Sequence, residues 1–329
     1  MSTEASGGPP SPRSELLVAR MHALRNILKP TPIARLQMPG IELYAKLEYF
    51  NPVGSLKDRT AYWIMRRAAE RGDLRSDSTI IESSSGNFAS AVATLSQLAG
   101  LEFIPVIDPN IAGIYESFLR RACRRVVKVE ERDDTGGFLK TRLKRVAELC
   151  REIPNSYWTD QYGNEDGMRA HYELTGGEIV ETMDDLTHVF IGVSTAGTIS
   201  GLSRRLKERW PAIKVIAVDA VGSVIFGGQP RKRHIPGIGA SVAPALLRHA
   251  IIDDVVMVRE KETAEACQEL LERHGLFTGG SSGTCYAAIK KYAERLQSHR
   301  AARALFLCAD RGTAYLDTLY DRKWVERLE

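Results

Sequence analysis

Short β-branched runs alternate with longer amphipathic ones along nearly the whole chain. The apolar runs predict strands at Glu42–Leu47, Thr79–Ile81, Glu102–Ile107, Arg125–Val129, His188–Val193, Lys214–Val218, Asp254–Val258 and Ala304–Leu307. Between them, the helical period predicts helices near Thr60–Arg71, Phe88–Ala99, Gly113–Ala122, Gly137–Arg151, Ile199–Arg209, Thr263–His274, Thr284–Ser298 and Leu316–Arg322. Strand–helix alternation at this spacing defines an α/β chain with parallel sheets. Roughly eight or nine strands, with a Trp-Thr-Asp-Gln-Tyr-Gly loop midway, imply two open twisted sheets and a cleft between them. The first 14 residues, rich in Ser, Gly and Pro, are expected to form a flexible tail.

Composition narrows the function more than the fold. Hydrophobic residues make up 43% and charged residues 26%, with a net charge of +4. Arg120-Arg121 and Arg231-Lys232-Arg233 are basic clusters, but no basic stripe interleaved with aromatics exists, so nucleic-acid binding is not expected. Cys123, Cys150, Cys267, Cys285 and Cys308 are scattered and show no CxxC spacing, which argues against a disulfide framework and against a metal site. No apolar stretch reaches membrane-spanning length and no secretory pattern opens the chain. The expected location is the cytoplasm.

Four hydroxyl- and glycine-rich segments each open a helix. In Asn51-Pro52-Val53-Gly54-Ser55-Leu56-Lys57-Asp58-Arg59-Thr60, Lys57 falls at the first helical turn. The helix dipole disfavours a cation there and lowers the amine's pKa, which suits Schiff-base chemistry, although a surface lysine gives the same pattern. Glu82-Ser83-Ser84-Ser85-Gly86-Asn87 joins a strand to a small-residue helix and forms an anion cradle suited to a carboxylate. Ser194-Thr195-Ala196-Gly197-Thr198 aims backbone N–H groups at a phosphate, yet it is neither a Walker loop nor a GxGxxG fingerprint. Thr278-Gly279-Gly280-Ser281-Ser282-Gly283-Thr284 is the fourth, and Gly222–Gly228 and Pro236–Gly239 read as turns.

Taken in order, NPxGSxKDR, SSSGN, the Ser/Thr/Gly cup, GIG and GGSSG resemble the fold-type II pyridoxal-phosphate (PLP) enzymes, the family of cysteine synthase and cystathionine β-synthase. The resemblance runs from about Leu28 to Tyr320. EYFNPVGSLKDR, VDAVGSVIFG, IPGIGAS and DRGTAYLD look most like the branch that joins O-phospho-L-serine to the α-amino group of L-glutamate in siderophore and diaminopropionate biosynthesis.

That resemblance implies a PLP Schiff base on Lys57, with Lys57 also removing the substrate's α-proton. It implies Asn87 on the ring hydroxyl, and Ser194, Thr195, Ala196, Gly197 and Thr198 around the cofactor phosphate. Ser282 is expected at the pyridine nitrogen, with Ser281 as the fallback; a hydroxyl there leaves the cofactor a weaker electron sink than a carboxylate would. Ser84, Ser85 and Gly86 are expected at the substrate carboxylate, with Gly237 also against the substrate. Two departures from cysteine synthase, Phe88 after the SGN asparagine and Ser194 opening the phosphate cup, are expected to reshape the substrate site.

Arg142 lies inside the apolar sector of its helix, either as a snorkelling side chain or as a guanidinium reaching the cleft. Tyr162 is either a packed hinge aromatic or a contact for the leaving phosphate.

The expected reaction is β-elimination of O-phospho-L-serine to an aminoacrylate followed by addition of glutamate. The alternative is a cysteine synthase using O-phosphoserine or O-acetylserine with sulfide. A PLP-binding protein without turnover and a nucleotide-binding enzyme are weaker fits, given the intact Lys57 and Asn87 and the missing nucleotide fingerprints. The family further implies a homodimer, a smaller mobile domain over 51–161 and a larger PLP-binding domain from 28–50 and 162–329.

Overall fold

The computed structural model describes residues 12–134, 136–298 and 302–328. Among them the strands are β1 (Ile33–Met38), β2 (Ile41–Leu47), β3 (Thr79–Ser83), β4 (Glu102–Ile107), β5 (Val127–Lys128), β6 (Ser156–Trp158), β7 (His188–Gly192), β8 (Lys214–Ala220), β9 (Asp254–Val258) and β10 (Arg303–Cys308). They form a six-stranded sheet, β1-β2-β10-β7-β8-β9, and a four-stranded sheet, β5-β4-β3-β6. Only the β1–β2 pair is antiparallel. All strands of the smaller sheet fall within 51–161, and all strands of the larger within 28–50 and 162–329.

Continuous apolar strands bury both sheet faces, as a parallel sheet requires. Along the larger sheet, Phe190, Ile216, Val218, Ala304 and Phe306 enter one core, while Val189, Ile191, Val215, Ala217 and Leu305 enter the other. Along the smaller sheet, Ile80 and Ile81 point to opposite cores in the same way.

This topology fixes where a ligand can bind. In the smaller sheet the chain moves from β3 outward to β4 and β5, then returns to place β6 on the other side of β3. In the larger sheet β8 and β9 lie on one side of β7 and β10 on the other. At such switch points the loops after adjacent strands diverge and open a crevice at the strands' carboxyl ends. The loop after β3 is Ser84–Asn87, the loop after β7 is Val193–Thr198, and Ala309-Asp310 follows β10.

Several elements depart from the hydrophobic pattern. β1 is a half-exposed edge strand with Leu36 its one buried residue, and β6 has three residues, so neither has a clear period. The expected tail over 1–14 falls mostly outside the described residues, but a helix already starts at Pro12 and runs to Leu24, with Leu17 and Met21 in the core of the smaller sheet. Helix Glu165–Ala170 continues through a π-helical turn, His171–Thr175, into helix Gly176–Thr182. Its backbone lies so close to the Gly197–Arg209 helix that a Cβ at Gly201 would sit 2.3 Å from the Met168 carbonyl. Small residues chosen for that approach hide the helix from a hydrophobicity pattern. The expected Thr284–Ser298 helix is two, Gly280–Lys291 and Ala293–Gln297. In place of Leu316–Arg322 stand a 3-10 turn, Gly312–Tyr315, and the short helix Arg322–Val325.

Candidate active site

The segment before Lys57 is held by its own side chains. Gly54 takes φ +102°, a conformation that Cβ-bearing residues avoid. Asp58 closes the turn by accepting the Val53 N–H at 2.6 Å and the Ser55 hydroxyl at 3.3 Å, and Ser55 Oγ accepts the Lys57 N–H at 3.2 Å. The segment is pinned to the end of β10 through Leu56 N–H to the Ala309 carbonyl, 2.8 Å.

Two residues beyond Lys57, Arg59 anchors the helix in a fully buried ion cluster. Its guanidinium donates to both carboxylate oxygens of Glu178, at 2.6 and 2.7 Å, and through Nε to Glu48 at 2.6 Å. Lys46 donates to Glu178 at 2.7 Å, and Thr31 Oγ1 to Glu48 at 2.8 Å. The two cations and two carboxylates balance, which is what permits burial. Lys57 is thereby fixed to a helix that cannot slide.

Lys57 lines a cavity between the two sheets, together with Asn87, Gly192, Ser194, Thr195, Ala196, Thr198, Gly237, Ser281, Cys285, Asp310 and Tyr315. Burial pushes its amine below the ordinary lysine pKa, and the nearby Asp310 carboxylate pulls the other way. Asp310 also accepts Asn87 Nδ2 at 2.7 Å and the Tyr315 hydroxyl at 2.8 Å, while its Oδ1 is buried without a partner. Gly279 is glycine because a Cβ there would lie 2.0 Å from Asp310 Oδ1. Tyr115 donates to Asn87 Oδ1 at 2.6 Å.

Four helices begin at this cavity: those starting at Lys57, Asn87, Gly197 and Gly280. In none does the N-cap side chain cap the helix. Their first N–H groups and dipoles give the cavity a positive potential suited to an anion. At the Gly197 helix, Ala196 sits at φ +64°, a left-handed conformation costing a Cβ-bearing residue about 1–2 kcal/mol. Gly197 itself lies behind the lining, packed against Gly167. Ser194 Oγ donates to the Gly239 carbonyl at 3.1 Å, tying the phosphate-type loop to the IPGIGAS turn, where Gly237 takes φ +83°.

A second cluster stands at the carboxyl edge of the smaller sheet, outside that lining. Arg142 Nη1 donates to Ser85 Oγ at 2.8 Å and lies 3.2 Å from Asp108 Oδ2, so it faces the sheet edge rather than snorkelling outward. Tyr162 is half-buried and feels the charges of Arg142, Glu82 and Asp108. Glu82, fully buried, accepts Thr159 Oγ1 at 2.5 Å, Gln161 N at 3.3 Å and Ser83 N at 2.7 Å, and so clamps the Tyr162 loop to the Ser84–Asn87 loop. Burial pushes Glu82 up to about 7 despite these donors. Gly86 is the N-cap residue of the Asn87 helix and faces Tyr115.

Two expectations change. Phe88 does not face a substrate: it is 2% exposed and packed in the smaller sheet's core with Ile64, Ile80 and Val92, because at the helix start its side chain turns back onto the sheet. Ser282 is fully buried and its Oγ accepts the Ala309 N–H at 3.2 Å, whereas Ser281, one position earlier in the helix, lines the cavity. Ser84 Oγ accepts the Ala89 N–H at 3.2 Å, which holds it at the helix start while its own O–H remains a donor for a ligand. Asp310, Tyr315 and Tyr115 were not singled out from the sequence. The first two lie within the DRGTAYLD stretch, while Tyr115 is one aromatic on an amphipathic helix with no local mark.

A buried lysine of lowered basicity, in a cavity between two α/β sheets where four helices begin, is an arrangement suited to holding an anionic cofactor through a covalent link. Residues 24–310 match the family described as pyridoxal-phosphate dependent enzyme, and the chain belongs to it. It is 43% identical over 288 residues to N-(2-amino-2-carboxyethyl)-L-glutamate synthase of Ralstonia nicotianae, covering 87% of this chain and 85% of that protein. To the protein of the same name from Cupriavidus metallidurans it is 42% identical over 304 residues, covering 91% and 89%. Among solved structures it superposes on the O-acetylserine-dependent cystathionine β-synthase of Helicobacter pylori with TM-score 0.84 and 30% identity, covering 90% and 97%. O-ureido-L-serine synthase gives TM-score 0.82 and 26% identity, covering 95% and 96%.

The residues present fit PLP. The cavity offers one buried amine for the aldehyde, an uncapped helix terminus with two hydroxyls, Thr195 and Thr198, for the phosphate, and Ser281 in the same lining.

Proposed function

We propose that this enzyme joins O-phospho-L-serine to the α-amino group of L-glutamate, giving N-(2-amino-2-carboxyethyl)-L-glutamate and phosphate. The observation that carries this reading is a guanidinium, Arg142, hydrogen-bonded to Ser85 at the carboxyl edge of the smaller sheet and outside the lining of the Lys57 cavity, which we read as a second anion subsite with Tyr162. The names of the two relatives above support it.

Lys57 would hold the cofactor aldehyde, Asn87 its ring hydroxyl, Ser194–Thr198 its phosphate and Ser281 its pyridine nitrogen. Asn87 Nδ2 carries two N–H groups, and Asp310 takes one of them. When bound, PLP supplies an electron sink for the carbon that bears the substrate's amino group. The Ser84–Asn87 loop orients the substrate carboxylate with its free N–H groups. The freed Lys57 amine takes the α-proton; burial lowers its basicity and so favours the neutral form that this step needs. As the Cβ–O bond breaks, the electron pair leaves with phosphate, which Arg142, Ser85 and Tyr162 receive. The α-ammonium of glutamate gives one proton to the released phosphate, its free amine then bonds to Cβ and becomes a secondary ammonium, and Lys57 returns the α-proton to Cα.

The 51–161 unit is the element we assign to closing over the cleft and excluding water. The same reading makes the enzyme a cytoplasmic homodimer acting on small amino acids. In its support, all five cysteines are free and no helix among the described residues is long and apolar enough to cross a membrane.

The test is product analysis of the PLP-loaded enzyme with O-phospho-L-serine and L-glutamate, by mass spectrometry and phosphate release. Glutamate-dependent formation of the C–N adduct is expected. Cysteine formed with sulfide, and no adduct with glutamate, would make it a cysteine synthase instead.

A further inference from the structure

Arg142 does not face the cleft as an unopposed cation. Asp108, one residue past the end of β4, sets Oδ2 at 3.2 Å from Arg142 Nη1, and Ser85 Oγ lies 3.4 Å from the same oxygen. Asp108 Oδ1 accepts the Asn110 N–H at 2.8 Å, which fixes the carboxylate in this direction. Both side chains are nearly buried, 12% and 9% exposed, so water screens the pair little. The guanidinium still has a free edge: its Nε is buried without a partner. One subsite therefore contains a cation, a carboxylate aimed at that cation, and an unused donor.

We propose that Asp108 is a specificity- and release-determining residue that competes with the leaving anion for Arg142. This rests on the reading of Arg142 as the leaving-group subsite. A subsite built from Arg142, Ser85 and Tyr162 alone would bind phosphate as tightly after the reaction as during it, and product would accumulate there. Asp108 makes the local charge zero. An arriving phosphate must displace the carboxylate from Arg142 while repelled by it, and a departing phosphate is replaced by it. Only a leaving group that forms several charge-assisted hydrogen bonds to Arg142, Ser85 and Tyr162 offsets both that repulsion and the lost pair, which selects against anions able to form few.

The experiment measures product inhibition of the PLP-loaded enzyme by inorganic phosphate, in wild type, Asp108→Asn, Asp108→Ser, Arg142→Ala and the Asp108→Asn/Arg142→Ala double variant. Asp108→Ser keeps an acceptor for the Asn110 N–H should the asparagine disturb the loop. The visible absorption of bound cofactor reports that each variant is folded and loaded. Removal of the carboxylate should tighten phosphate inhibition by about tenfold, the effect of one neighbouring charge at partly screened range. Arg142→Ala should weaken inhibition, and the double variant should show no tightening over Arg142→Ala. If both Asp108 variants weaken inhibition or leave it unchanged while Arg142→Ala still weakens it, Asp108 merely holds Arg142 in place and the competition is wrong. If Arg142→Ala leaves inhibition unaltered, the subsite reading fails, and this proposal with it.

Discussion

Asn87 donates its Nδ2 to Asp310 Oδ2 at 2.7 Å, a bond between the loop after β3 and the loop after β10. It joins the two sheets at the floor of the cavity, and Asp310 also stands close enough to Lys57 to act on its charge. The Asp310→Asn enzyme keeps an oxygen for Asn87 and Tyr315 but loses the negative charge that holds the Lys57 pKa up. The amine that substrate frees should then become still less basic, and the acid limb of kcat, which reports the substrate-bound enzyme, should move to lower pH. A pH–rate profile checks this; a limb that stays in place or moves upward would show that Asp310 acts through packing alone.

Arg59 is expected to be indispensable for stability. Its removal in Arg59→Ala leaves Glu48 and Glu178 facing each other without their main cation in a fully buried site. Breaking a buried pair from one side costs about 3–5 kcal/mol, which chemical denaturation of the cofactor-free protein would read. Arg59→Lys should also destabilise, because an ammonium cannot reproduce the bidentate contact with Glu178.

Glu82 gives stability a distinct pH dependence. Burial raises its pKa from 4.5 to about 7, so the folded chain binds this proton more tightly than the unfolded chain. Its contribution is therefore fully present below pH 4.5 and is lost as pH rises to about 7. Asp58, pushed up to about 7 by burial, acts in the same direction. Glu82→Gln should flatten the fall in Tm across this window without abolishing it, since Asp58 remains. An unaltered slope would mean that Glu82 is ionised throughout.

Adjacent serines in the fourth motif separate cleanly by variant. Ser281→Ala should shift the visible absorption of bound PLP with little loss of stability. Ser282→Ala should leave the band in place and cost about 1–2 kcal/mol, because the Ala309 N–H loses its acceptor. The opposite pairing of effects would return the pyridine contact to Ser282.

Much of the site was legible because its parts act locally. Lys57, Ser194, Thr195 and Thr198 stand where strand, small-residue turn and helix follow one another, and such a turn does its work through its own backbone. The adjacent choice between Ser281 and Ser282 was not legible: both sit in the first turn of one helix, and a rotation of about 100° per residue separates a lining side chain from a buried one. For Phe88, likewise, the local motif could not tell a residue facing a ligand from one facing the sheet.

What the sequence by itself determined was the alternation of elements, the parallel sheets and the four helix starts that carry chemistry, since hydrophobic period and turn residues are properties of short windows. It also specified the turn before Lys57, where Gly54, Ser55 and Asp58 constrain one another within five residues. Only the tertiary structure decided which charges meet. Asn87 and Asp310 are 223 residues apart, Arg59 and Glu178 119 residues, and Ser85 and Arg142 57 residues. The first pair exists because the loops after β3 and β10 meet at one crevice, and the other two because helices Lys57–Arg71, Gly176–Thr182 and Leu139–Glu152 bring their charges to their partners only once packed. A pairwise electrostatic contact depends on distance in space, and no window of sequence contains it.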